Sequence, residues 1–135
     1  MKTYKRIEDT GLYVDCNKLA ERLYQVRFKM PKRDRAVLWE HVFSHCIDMA
    51  AFLQDAFRDK ENRIKHIDLF LHSFAKLKIL LRMACEIKSI SVKEHSFVFE
   101  YVLRIDEGIN RWRNSTVCSL RSTKESNNVL RSDDI

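Results

Sequence analysis

Residues 60–90, KENRIKHIDLFLHSFAKLKILLRMACEIKSI, decide the fold. The stretch holds neither Gly nor Pro, and apolar residues recur at Ile64, Ile67, Leu71, Phe74, Leu77, Leu81 and Ala84. That three-and-four spacing is the signature of a helix. Leu69, Phe70, Ile79 or Leu80, Cys85 and Ile87 widen the apolar arc to roughly 220° at 3.6 residues per turn. A helix on the surface of a monomer needs an arc of only about 100°. The extra width predicts several neighbours, drawn from the chain's own bundle or from another subunit. Lys78 and Arg82 sit one turn apart at one shoulder of the arc, with Lys65, His72 and Lys76 on the solvent side.

The rest of the composition agrees with long helices. Gly 2 and Pro 1 in 135 residues leave little material for the turns that strands require. The length suits one domain with one core. A net charge of +6 makes an acidic partner the expectation, nucleic acid first and an anionic membrane surface second. The four cysteines, Cys16, Cys46, Cys85 and Cys118, form no C-x-x-C pair and fall on or near apolar helix positions. They read as reduced core residues of a cytoplasmic protein rather than as a zinc knuckle or redox pair. The N-terminus lacks the apolar run of a signal peptide, and no stretch approaches the ~18 apolar residues of a membrane span.

Three further helices flank the central one. The first is expected from Leu12 or Asp15 to Met30, stopped by Pro31, with Leu12, Cys16, Leu19, Leu23, Val26 and Met30 inward. The second is expected over residues 32–58, with a seam at Leu38, Val42, Cys46, Met49, Leu53, Ala56 and Phe57. Polar residues 59–62 link it to the central helix. Ser91 and Glu94 form an S-x-x-E capping box that starts the fourth helix, expected to end near Asn114. Its stripe is Val98, Val102, Ile105, Ile109 and Trp112, and Gly108 beside it leaves room for a neighbouring backbone. Short links make neighbours antiparallel, so the expected architecture is an all-α, up-down-up-down four-helix bundle over residues 1–115. Residues 116–135, rich in Ser, Asn and charge, are expected to be a disordered tail.

No enzyme is evident. His41 and His45, one turn apart, can ligate a metal, but H-V-F-S-H is not H-E-x-x-H and no third ligand lies near in sequence. They read as polar flank packing beside the seam or at a subunit contact. Arg35 and His41 have the R-x5-H spacing that resembles the loose motif of the HEPN helical ribonucleases. There the arginine polarises a phosphate and the histidine assists attack by the 2′-hydroxyl. Here the pair lies early in the second helix rather than in the late helix where that family has it. No phosphate loop, nucleophile elbow or cofactor motif is present.

The cations carry more. Lys32, Arg33 and Arg35 gather at a helix N-terminus, where they oppose the helix dipole and point to an outside anion. Lys78 and Arg82 have no carboxylate at i−4, and as like charges one turn apart they repel. Phosphate is the expected counter-charge. On the fourth helix Lys93, Phe97, Arg104 and Arg111 share one side, but Glu100 and Glu107 precede the arginines by four residues and are expected to pair with them. Lys78 and Arg82 are therefore expected to matter more for binding than Arg104 and Arg111.

The segments MPKRDRAVLWEHVFSHCIDMAAFLQDA and LHSFAKLKILLRMACEIKSIS, and a last helix carrying GINRW, resemble a known family over roughly residues 16–114. It is that of the accessory variability determinants of diversity-generating retroelements. These are similar in turn to bundle proteins encoded in intervening sequences of bacterial 23S ribosomal RNA genes. The resemblance implies a homopentamer around a basic channel, without cofactor, that binds a reverse transcriptase and nucleic acid. Together they copy a template-repeat RNA into mutagenised cDNA in a bacterial or phage-infected cytoplasm. The family's basic third-helix pair falls on Lys78 and Arg82. The residues leave open whether the chain is the retroelement protein or the ribosomal intervening-sequence protein.

Overall fold

The computed structural model describes residues 6–133, including the side chains of residues 6–8 and 10–125. Residues 1–5 and 134–135, and the side chains of the last part of the expected tail, lie outside that description. Among the described residues the chain is all-helical, with four helices and no strand, compatible with a helical bundle.

A 3-10 turn, Ile7–Asp9, tucks Ile7 into the core ahead of α1, Gly11–Arg27. Thr10 sets the start of α1. Its hydroxyl accepts from the Tyr13 amide at 3.3 Å and donates to the Ile7 carbonyl at 2.7 Å. The helix stops at Arg27, one turn short of Met30. The amides of Phe28, Lys29 and Met30 reach back only three residues, which tightens the end. Met30 is buried all the same.

α2 is three continuous segments: one α turn, Lys32–Asp34, a π turn, Arg35–Trp39, and the regular helix Glu40–Arg58. The π turn inserts extra backbone and shifts the register before Glu40. Trp39 therefore enters the core, while Leu38, the expected seam residue, is only partly buried. From Val42 on, the seam follows the predicted spacing, with Met49, Leu53 and Ala56 buried.

α3, Arg63–Glu86, is the central helix, with Ile67, Phe70, Phe74 and Leu77 wholly enclosed. The polar Asp59–Asn62 link could cap this helix, but the Asn62 side chain makes no cap bond. Instead Asp59 gathers the link: its carboxylate accepts from Asn62 and lies 3.0 Å from Nε2 of His66. At the other end Ser89 and Lys88 donate to the carbonyls of Ala84 and Cys85 in a Schellman motif. Lys88 there holds a left-handed φ of 62°.

α4, Val92–Asp133, starts where the Ser91 hydroxyl accepts the Glu94 amide at 3.1 Å. The capping box is only half formed, because the Glu94 carboxylate goes to Lys29 of α1 at 2.9 Å. α4 also runs on past Asn114. The expected disordered tail is helical to Asp133, but its side chains from Cys118 to Glu125 are exposed and join no core. The core ends near Trp112, partly buried against it. Gly108 faces a side chain rather than a backbone: a Cβ there would stand 3.2 Å from Cδ1 of Leu12.

Each helix packs on two others, α1 on α2, α2 on α3, α3 on α4 and α4 on α1. One core fills the space between them. The surplus of the wide apolar arc on α3 stays in solvent: Leu69, Ile79, Met83 and Ile87 are exposed, Ile79 and Ile87 by about 60%.

Candidate nucleic-acid interface

Three surfaces hold the cations that the sequence singles out, and the structure treats them differently. The first is the basic N-terminus of α2. Arg35 folds back on the end of α1, its Nε donating to the Met30 carbonyl at 3.1 Å and its Nη2 to Phe28 at 2.9 Å. The last carbonyls of a helix carry the negative end of its dipole. Of that cluster, Arg35 thus serves the turn that ends α1, while Lys32 and Arg33 stay exposed. Arg63 repeats the device at the end of α2, donating to Ala56 and Phe57 at 2.8 and 3.1 Å and stacking 5.2 Å from the Trp112 ring. Arg33 is exposed beside Asp34, at 3.7 Å. Arg35 opens the π turn that precedes His41, and its guanidinium is engaged with carbonyls.

The second surface is the groove between α3 and α4. Lys78, Leu81, Arg82, His95, Val98, Phe99 and Val102 line a cavity of about 320 Å³. The counter-charges expected from outside are present within the chain. Nζ of Lys78 lies 3.2 Å from Asp106 and 4.5 Å from the centre of the Phe74 ring. Arg82 pairs with Glu86, at i+4, at 3.4 Å. Reading only the i−4 positions missed both carboxylates. Lys76 lies elsewhere, exposed on the side of α3 turned toward α2, where its charge reaches His45.

The third surface lies along α1 and α4. The Arg22 guanidinium sits 5.0 Å from the Phe97 ring, which fixes the Lys93, Phe97, Arg104, Arg111 side of α4 as the one beside α1. Arg104 lies 5.6 Å from Tyr101. The expected pairs of Glu100 with Arg104 and Glu107 with Arg111 do not form. Among the described residues Lys18, Lys93, Arg104 and Arg111 have no ion pair, and Lys29 alone on this face is neutralised, by Glu94. The α1 contribution, Lys18 and Arg22 one turn apart, escaped the sequence reading. Its signal was available as i,i+4 basic residues off the Leu19–Leu23–Val26 stripe, but which helix they would face was not. The exposed carboxylates of Glu100 and Glu107 share this side, and the cations between them, with the neighbouring aromatic rings, suit phosphate neutralisation with base stacking.

Burial pushes Cys16 and Cys46 up to about 12, while Cys118 is exposed on the α4 extension and is not a core residue. No group of three metal-ligating side chains occurs among the described residues, and no described helix is long and apolar enough to cross a membrane. No protein-family model matches the chain, and no curated protein matches it significantly.

Proposed function

We propose that the chain is a non-enzymatic nucleic-acid-binding bundle protein. In this reading it is the accessory protein of a diversity-generating retroelement, which engages reverse transcriptase and template RNA or cDNA in the cytoplasm. The observation that carries binding is the row of unpaired cations on the α1–α4 face, interleaved with Phe97 and Tyr101. The resemblance over residues 16–114 supports the retroelement role. An up-down topology is supported by the order of cross-helix partners. Asp68 and Lys78 of α3 meet Arg113 and Asp106 of α4, and Leu12, Arg22 and Lys29 of α1 meet Gly108, Phe97 and Glu94. A homopentamer is supported by the apolar residues that α3 and α4 leave in solvent, among them Ile79, Met83, Phe99 and Leu103.

Binding to single-stranded RNA should weaken steeply with salt. Neutralising about five phosphates gives a log–log slope near −3.5. A slope near zero rejects the reading. Light scattering on the purified chain should give about five times 16.1 kDa, and a clean monomer removes the pentamer.

A further inference from the structure

Two opposite faces of the bundle carry exposed apolar surface. The helices pack in the cyclic order α1, α2, α3, α4, so the α1–α2 seam lies across the core from the α3–α4 seam. On the α1–α2 seam Tyr24, Phe28, Phe43 and Ile47 are exposed around the buried Trp39. The rings touch: Tyr24 lies 5.4 Å from Phe28 and 6.2 Å from Trp39, and Trp39 stacks on Phe43 at 5.6 Å. Trp39, Phe43 and Ile47 line a cleft of about 370 Å³ together with Glu40, Asp48 and Arg27. An exposed aromatic cluster with a polar rim is the anatomy of a protein contact.

The α3–α4 groove is its counterpart in size and charge. It encloses about 320 Å³ over a floor of Leu81, Val98 and Val102. Phe99 and, one turn on, Leu103 stand exposed along its α4 wall. No carboxylate lines this groove, whereas Lys78, Arg82 and His95 do. Across the bundle, Glu40 and Asp48 are exposed and make no ion pair among the described residues. Arg82 holds Glu86 through side chains that are 80% and 66% exposed, a kind of pair worth about 1 kcal/mol at most. A neighbour's carboxylate therefore replaces Glu86 at little cost.

The two faces also sit at one height. The turn after α1 and the start of α4 lie together, joined by Lys29 and Glu94 at 2.9 Å. Tyr24, Phe28, Trp39 and Phe43 flank the α1–α2 turn, and Arg82, His95 and Phe99 flank the α3–α4 turn. Unlike faces that meet at one height turn each copy about an axis along the bundle, and such a head-to-tail contact closes into a ring.

We propose that the α1–α2 aromatic face of one copy docks in the α3–α4 groove of the next. The occupant of both surfaces is this chain itself. The contact rests on the self-association read above and names its two surfaces, and it leaves the α1–α4 strip uncovered.

Two double variants of the full chain test it. Phe43→Lys with Ile47→Lys spoils the aromatic face, and Phe99→Asp with Leu103→Asp spoils the groove. All four positions are exposed, so circular dichroism should show unchanged helix content. In sedimentation each double variant alone should be a monomer of 16.1 kDa. Mixed in equal amounts the two should form a dimer of twice that mass, because each keeps the face that the other has lost. A mixture that stays monomeric overturns the head-to-tail contact. If both variants keep the wild-type mass, these surfaces are overturned while self-association stands. If the wild type is itself a monomer, both fall, and wild-type binding to anionic vesicles that Phe43→Lys with Ile47→Lys abolishes would give the aromatic face to a membrane instead.

Discussion

The Lys78 ammonium lies 3.2 Å from the Asp106 carboxylate, joining α3 to α4 across 28 residues of sequence. The cation that looked uncompensated is thus the better compensated one. The opposite ranking of binding residues is therefore the one to test. Arg104→Ala with Arg111→Ala should flatten the salt slope for single-stranded RNA by about 1.4, at 0.7 per lost contact. Lys78→Ala with Arg82→Ala should change it less, because a phosphate must first displace Asp106 and Glu86. Filter binding across a salt series compares the two, and a larger effect of the Lys78 pair returns the contact surface to the α3–α4 groove.

Arg35 and Arg63 act on stability. Arg35 gives two hydrogen bonds to carbonyls of the turn that follows α1, and Arg63 two to the last carbonyls of α2. Replacing either by Ala should cost about 1–2 kcal/mol. Arg33→Ala, exposed beside Asp34, should stay within about 0.5 kcal/mol. Urea denaturation of the three variants gives the comparison, and equal midpoints would reject the capping role.

Two backbone positions admit improvement. Lys88 holds φ at 62°, a region that costs a side chain about 1 kcal/mol. Lys88→Gly should raise the melting temperature slightly. Gly108→Ala should do the same through helix propensity, worth up to about 1 kcal/mol. The close neighbour at 3.2 Å is the end of the flexible, half-buried Leu12 side chain, which has room to shift. A lower melting temperature for Gly108→Ala means that Leu12 is held fast.

Acid should weaken the fold in two windows. His45 is held below 6.5, first by burial and then by Lys76, so the unfolded chain binds its proton more readily. Stability is then full above 6.5 and falls as pH drops from there toward the lowered folded value. Asp59 is held below 3.8, chiefly by its hydrogen bond to His66, so its share is lost only as pH falls below 3.8 toward its own lowered value. Denaturation midpoints against pH should show the upper window vanish in His45→Gln.

Thiol reagents should separate the cysteines. Cys118 is exposed and should label in the native state. Cys16 and Cys46, pushed up to about 12 by burial, should stay unlabelled until the chain unfolds. Native labelling of Cys16 as fast as Cys118 would contradict the core described above.

The helices and the core stripes were determined by the sequence itself. Ile67, Phe74 and Leu77, or Val98, Val102, Ile105 and Ile109, declare their inward face through a period of 3.6, and that period is a local property of the chain. The surplus apolar width of α3 was legible for the same reason. The start of α1 at Thr10 and the π turn before Glu40 were not, because neither breaks the apolar spacing on either side. The fate of the charges was decided by the tertiary structure alone. Whether Arg35 seeks a phosphate or the carbonyls of Phe28 and Met30, and whether Lys78 meets Asp106, depends on helix register and on which faces meet. Those are set when the whole core closes. The meeting of Arg22 with Phe97 of α4 follows from that same packing.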